Sequence, residues 1–102
     1  MAKHEMFLSM VLTNARRIEA RAVVLSVDGE TSRIDMLLLD GSSQPISAPP
    51  SDILLRIIED LEDGQTQFQA SVHSATVEKV NITRMSDGKI AYISQWNIEH
   101  VD

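Results

Sequence analysis

No cysteine occurs among the 102 residues, which excludes disulfides, thiolate zinc sites and cysteine nucleophiles together and is compatible with a reducing compartment. Positive charge is scarce. Nine Lys and Arg stand against 15 Asp and Glu, a formal charge of -6, so a phosphate backbone would be repelled on average and nucleic acid is not expected as a partner. Glycine is sparse too, and none of Gly29, Gly41, Gly64 and Gly88 stands in a GxxxxGK[ST] or GxGxxG setting whose amides could cradle a phosphate. Long apolar runs are missing: "MFLSMVL" (Met6 to Leu12) is seven residues, far short of a bilayer span, so no membrane insertion is expected. Lys3 before that run and Ala20-Arg21-Ala22 after it imitate a signal peptide, but Arg16, Arg17 and Glu19 intervene where such a peptide stays uncharged. The chain is therefore read as cytoplasmic, and the sequon Asn81-Ile82-Thr83 as unused.

What is present suits one domain over residues 1–102, since 43% hydrophobic content at this length fills a single core. Leu8, Val11, Leu12, Ala15 and Ile18 recur at helical spacing and predict an amphipathic helix from about Lys3 to Ala20. "AVVLSV" (Ala22 to Val27) is a strand closed by Asp28-Gly29, and the stretch "RIDMLLLDG" (Arg33 to Gly41) is a second strand ending in Asp40-Gly41. "SSQPIS" returns as a short edge strand, because Pro45 cannot donate to an interior ladder. Pro49-Pro50 open a helix with Ser51 or Ser47 as cap, striped by Leu54, Ile57, Ile58 and Leu61 and ended by Gly64. "QFQASVH" alternates as a half-buried strand; Thr76 to Met85 and Lys89 to Ile98 follow, joined at Asp87-Gly88. The expected class is α+β, two helices packed on a largely antiparallel sheet in the order αβββαβββ, since two-residue turns cannot make parallel crossovers. In that arrangement Met36, Leu37, Leu38 and Leu39 form a continuous apolar run if their strand is central and covered on both faces, or if one face meets a partner.

Reactive constellations are hard to find. No GxSxG elbow is present, His4 and His100 lie near the ends, and His73 falls on the Gln67, Gln69, Ser71 side of its strand, where a solvent-facing histidine is expected. His4-Glu5 begins like a metalloprotease helix, but Leu8 stands where the second ligand belongs. The run "EDLED", with Glu59, Glu62 and Asp63, sits at a helix C-terminus where the macrodipole disfavours negative charge. It lacks calcium-loop spacing, so it reads as a solvated end partly paired through Asp52, Arg56 and Asp60, or as a surface for a basic partner. Tyr92 and Trp96, four apart and half of the four aromatics, are expected on one face of the last strand, either in the core or at an interface. No catalytic, cofactor or metal residue is assigned, and no enzyme is expected.

The helix, the segment "EARAVVLSV", the strand ending in Asp40-Gly41, the double-proline helix start and the closing meander together resemble the second N-terminal domain of type II secretion and type IV pilus assembly ATPases. Ala20 fits the alanine of that family's GASDIHIEP segment, Val23 and Leu25 its isoleucines, and Pro49-Pro50 with "ILLRIIEDL" its helix. The resemblance implies a domain that in full-length ATPases packs on the nucleotide-binding domain and offers arginines to the nucleotide. At the two strand-arginine positions this chain has Met36 and Leu38, and at the Asp, His and Glu positions it has Ala22, Val24 and Ser26. Arginine presents planar donors to phosphate and these residues present none, so no cofactor is expected. The resulting expectation is a stand-alone, non-catalytic interaction module without the ATPase domain, an accessory or regulator of secretion or pilus machinery, homodimeric, with contacts through Met36, Leu38, Tyr92, Trp96, Glu59, Glu62 and Asp63. The alternative is a small acidic dimer similar to type III secretion chaperones, which share the opening helix, three strands and second helix but usually close on a further helix.

Overall fold

A computed structural model of the chain describes residues 3–100. The elements run α1 (Lys3–Arg17), β1 (Ala22–Asp28), β2 (Thr31–Leu37), β3 (Ser43–Ile46), α2 (Ser51–Glu62), β4 (Gln67–Gln69), β5 (His73–Met85) and β6 (Gly88–His100). The six strands form one antiparallel sheet in the order β3-β2-β1-β6-β5-β4, and the class is α+β. An N-terminal meander (β1 to β3) and a C-terminal one (β4 to β6) meet where β1 pairs with β6, so those two strands are central and the shortest strands lie at the edges.

Both helices lie on one face. Leu8, Leu12 and Ala15 of α1 and Leu54, Ile57, Ile58 and Leu61 of α2 join one cluster with Val23, Leu25 and Val27 of β1, Ile34 and Met36 of β2, and Ala91 and Ile93 of β6. The opposite face of the sheet is open. "MLLL" is therefore not a strand covered on both sides: β2 is the second strand from an edge, Met36 enters the core at 2% exposure, Leu37 points to the open face, and Leu38 and Leu39 form the turn after it. That turn is closed by Leu38 N–H to Ser42 O at 2.9 Å, while Asp40 Oδ1 accepts from the Ser42 hydroxyl at 2.6 Å and its amide at 2.9 Å. These two bonds hold the Asp40 carboxyl below its ordinary range.

Two helix ends differ from expectation in instructive ways. α1 stops at Arg17, because Glu19 adopts φ +60 and the chain turns out through Glu19 N–H to Arg16 O (3.1 Å) and Ala20 N–H to Ala15 O (2.9 Å). This is the Schellman arrangement, usually built on glycine. Ile18, expected on the buried stripe, falls in that exit and is exposed. At the start of α2 neither Ser51 nor Ser47 caps: the N-cap is Pro50, with no side-chain bond, and its carbonyl accepts from the Ile53 and Leu54 amides. Gly64 ends α2 as expected, at φ +97, through Gly64 N–H to Leu61 O and Gln65 N–H to Asp60 O.

"QFQASVH" is not one strand. It breaks at Ala70 to Val72, and His73 begins β5. The third turn also departs from the Asp-Gly pattern, since Ser86 and Asp87 make the turn and Gly88 already opens β6. Gly88 pairs with Asp28, and a β-carbon there would land on the Val27 carbonyl, so close approach of β1, not positive φ, demands glycine.

Candidate interaction surfaces

The β5–β6 pair decides where the aromatic residues go. Between Val77↔Trp96 and Val80↔Ile93 the register passes over Glu78 on β5 and Ser94 on β6, so each strand takes one extra residue. The side-chain alternation resets on both: Ala91 and Ile93 face the helices, and so does Trp96, while Tyr92 faces the other way. Tyr92 and Trp96 therefore lie on opposite faces, contrary to the uninterrupted count of four. Trp96 is 5% exposed, donates Nε1–H to the Leu12 carbonyl at 3.1 Å and lies under the Arg16 guanidinium, 5.1 Å from the ring centroid. Arg16 also donates to the Trp96 carbonyl. Met36 and Trp96 thus serve the core and the α1 contact, and neither is available as a surface residue of this chain.

The open face carries what remains. Cross-strand register places Ala22 opposite Leu37, Val24 opposite both Asp35 and Tyr92, and Ser26 opposite both Arg33 and Ile90. Val24, Leu37, Ile90 and Tyr92 are each half-buried and form an apolar stripe across three strands, with the Arg33–Asp35 pair (3.3 Å) beside it. Ala22, Val24 and Ser26 share this face, whereas Met36 points through the sheet to the helices. The positions that correspond to the charged residues of the ATPase family in the resemblance do not make one surface.

The acidic end of α2 is largely occupied. Glu62 accepts from Lys89 Nζ at 2.6 Å and from Arg84 Nε at 2.9 Å, Lys89 also lies 4.0 Å from Glu59, and Asp60 meets His4 Nε2 at 2.8 Å and Arg56 Nε at 3.5 Å. The hydrogen bonds from Lys89 and then Arg84 hold the Glu62 carboxyl below its ordinary value. Only the Arg56–Asp60 pair was visible as a spacing; Lys89, Arg84 and His4 come from other elements. Asp63 is exposed and is the helix C-cap, its N–H bonded to the Glu59 carbonyl at 2.9 Å.

A surface not anticipated runs along α1. Met10, 57% exposed, stands between a shallow groove shared with Val72 and His73 and another shared with Ile18 and Ile46. Ser9, the single fully buried polar residue among those described, donates to the His73 carbonyl at 3.3 Å, so its hydroxyl is used in holding β5 to α1. His73 is not a lone surface residue: its ring meets that of His100 edge-on at 4.7 Å between centroids. Among the described residues, no group of three His, Asp or Glu side chains is arranged to hold a metal ion, and no helix is long and apolar enough to cross a membrane.

The class these features define is an α+β sheet with one helix-covered and one open face. Compared with protein-family models, curated proteins and solved structures, the chain matches none.

Proposed function

We propose that this chain is a non-catalytic protein-interaction module, akin to the second N-terminal domain of type II secretion and type IV pilus ATPases, acting in the cytoplasm as an accessory or regulator of such machinery. The observation that carries the reading is the open sheet face, where Val24, Leu37, Ile90 and Tyr92 form an apolar stripe that the two helices do not cover. Tyrosine flanked by aliphatic side chains and rimmed by a charged pair has the composition of a contact surface, an apolar centre with a polar margin. Its contacts are with protein, including a second copy of itself, and it uses no cofactor. The resemblance to the ATPase domain supports the cellular setting; the loss of charge at Ala22, Val24 and Ser26, which share the open face, supports contact in place of nucleotide binding.

Calorimetry with Mg-ATP tests this against the alternative that a nucleotide site survives. No heat of binding is expected; a micromolar dissociation constant for ATP would overturn the reading.

A further inference from the structure

The β5–β6 ladder ends on His73 opposite His100, so two of the three histidines in the chain meet at one end of the sheet. The hairpin on the other side of β5 settles what kind of pair this is. Ser71 and Val72 form a two-residue loop closed by Ala70 N–H to His73 O at 2.8 Å, and Val77 N–H reaches Thr66 O at 2.8 Å. His73, Ala75 and Val77 thus turn their backbone groups toward β4, and toward β6 they stand at non-hydrogen-bonded sites. Facing residues at such a site have Cα atoms about 4.5 Å apart and the closest side chains that a sheet offers. His73 and His100 share the side of Ala75 and Ile98, which pack toward the helices. His73 is also held from α1, because its carbonyl accepts from the hydroxyl of buried Ser9 at 3.3 Å. One imidazole therefore stands on a fixed backbone, and the other faces it across the ladder.

We propose that His73 and His100 together bind one divalent metal ion of the class that prefers imidazole, Zn²⁺ foremost, as a clip across the end of the sheet. The ring separation fits. Two imidazoles on one ion at about 2.0–2.1 Å, at angles of about 90–110°, have their centres about 4.5–5.2 Å apart. These two lie at 4.7 Å. The rings stand edge to face at 81°, so binding requires a turn about χ2. That torsion is broad and its axis runs through the ring, so turning it redirects the nitrogens and leaves the ring centres in place. Backbone and χ1 therefore set the separation, and the nitrogens are free to converge. His73 is half-buried and His100 exposed, so the remaining coordination positions open to water. Glu99, next to His100, pairs with Ser74 on the opposite face, and Arg17 shares the groove beside His73. Among the described residues no carboxylate completes the set. That disfavours Mg²⁺ and Ca²⁺, which take oxygen ligands, and leaves the borderline metals that neutral imidazole suits. The ion is an exchangeable link between β5 and β6 on the helix side of the sheet, apart from the open-face stripe and from any reaction.

Zinc chloride added to the full chain is the probe. Calorimetry is expected to show one ion per chain with a dissociation constant of about 100 μM or tighter. His73→Ala and His100→Ala should each weaken binding at least about tenfold, because the second imidazole acts at high effective concentration once the first is bound. His4→Ala should leave binding unchanged, since His4 is engaged with Asp60 at 2.8 Å on another part of the surface. Imidazole NMR signals of the unmodified chain give a readout that needs no variant: the rings of His73 and His100 should move along one zinc-binding curve while that of His4 stays. A chain that takes up no zinc up to about 1 mM overturns the inference. So does binding that survives either substitution, binding that moves the His4 ring alone, or zinc held between two chains and seen as a doubled mass in sedimentation. Each of these results leaves the contact reading standing, whereas ATP binding in the calorimeter strikes that reading and not the histidine pair.

Discussion

Glu19 stands where a glycine would be expected. It occupies the left-handed turn that ends α1, at φ +60, and the same hydrogen-bond pattern ends α2 on Gly64 at φ +97. An L-residue in that region carries about 1 kcal/mol of strain, which glycine does not. Glu19→Gly is therefore expected to raise stability by about 0.5–1 kcal/mol, read as a higher urea midpoint at unchanged slope. A lower midpoint would mean that the Glu19 side chain contributes more than its backbone costs. The two glycines of the hairpin ends form a contrasting pair. Gly29 has φ +60 and open space around its α-carbon, so Gly29→Ala should cost about 1 kcal/mol through the backbone alone. Gly88 has an ordinary φ but lies against the Val27 carbonyl, so Gly88→Ala must push β1 and β6 apart at the centre of the sheet. It should cost about 3 kcal/mol, as severe overpacking does, and the opposite ranking of the two variants would contradict the strand spacing described.

Among the elements, the C-terminal end of α2 shows what a charge run does once folded. Four acidic residues near a helix C-terminus oppose the macrodipole, and the fold answers with Lys89 and Arg84 brought in from the β5–β6 turn. Because Glu62 titrates below its ordinary value in the folded chain, its contribution is fully present above about pH 4.3, the unfolded value, and is lost as pH falls through the lowered one. Glu62→Gln should therefore lower the urea midpoint at pH 7 and converge with the parent at low pH, with the gap also shrinking in high salt. A gap that is constant from pH 7 downward would show that Glu62 acts by shape and not by charge. Sequence spacing exposed the helix, its stripe of Leu54, Ile57, Ile58 and Leu61 and its Gly64 stop, because those signals are local. It could not reveal Lys89 and Arg84, which arrive from residues more than twenty positions away. The aromatic pair failed for a related reason. A count of four assumes an unbroken pleat, and the extra residues Glu78 and Ser94 are set by the pairing of two strands, which neither strand reveals by itself. Hence Tyr92 is the one member of the open stripe among the contact residues expected from the sequence, and Val24, Leu37 and Ile90 join it only through the strand register.

At the scale of the whole molecule, one sheet face is committed to folding and the other is not, and adjacent residues of β6 report on each. Ile93 is fully buried against the helices, and Ile93→Ala should cost about 2–5 kcal/mol in urea denaturation because the cavity it leaves cannot collapse easily beneath two helices. Tyr92, one residue earlier, pairs with Val24 and Asn81 on the open face. Its stabilising partners are cross-strand neighbours alone, so Tyr92→Ala should cost the free chain about 1 kcal/mol. If the open face is a contact surface, the same truncation should cost a bound complex about 2 kcal/mol or more, since a desolvated tyrosine at the centre of an interface carries a large share of its energy. The ratio is what matters: Ile93→Ala must dominate unfolding and Tyr92→Ala must dominate dissociation. Equal losses of folding stability at the two positions would mean that the stripe is part of the fold's own support, and the case for contact through that face would fall with it.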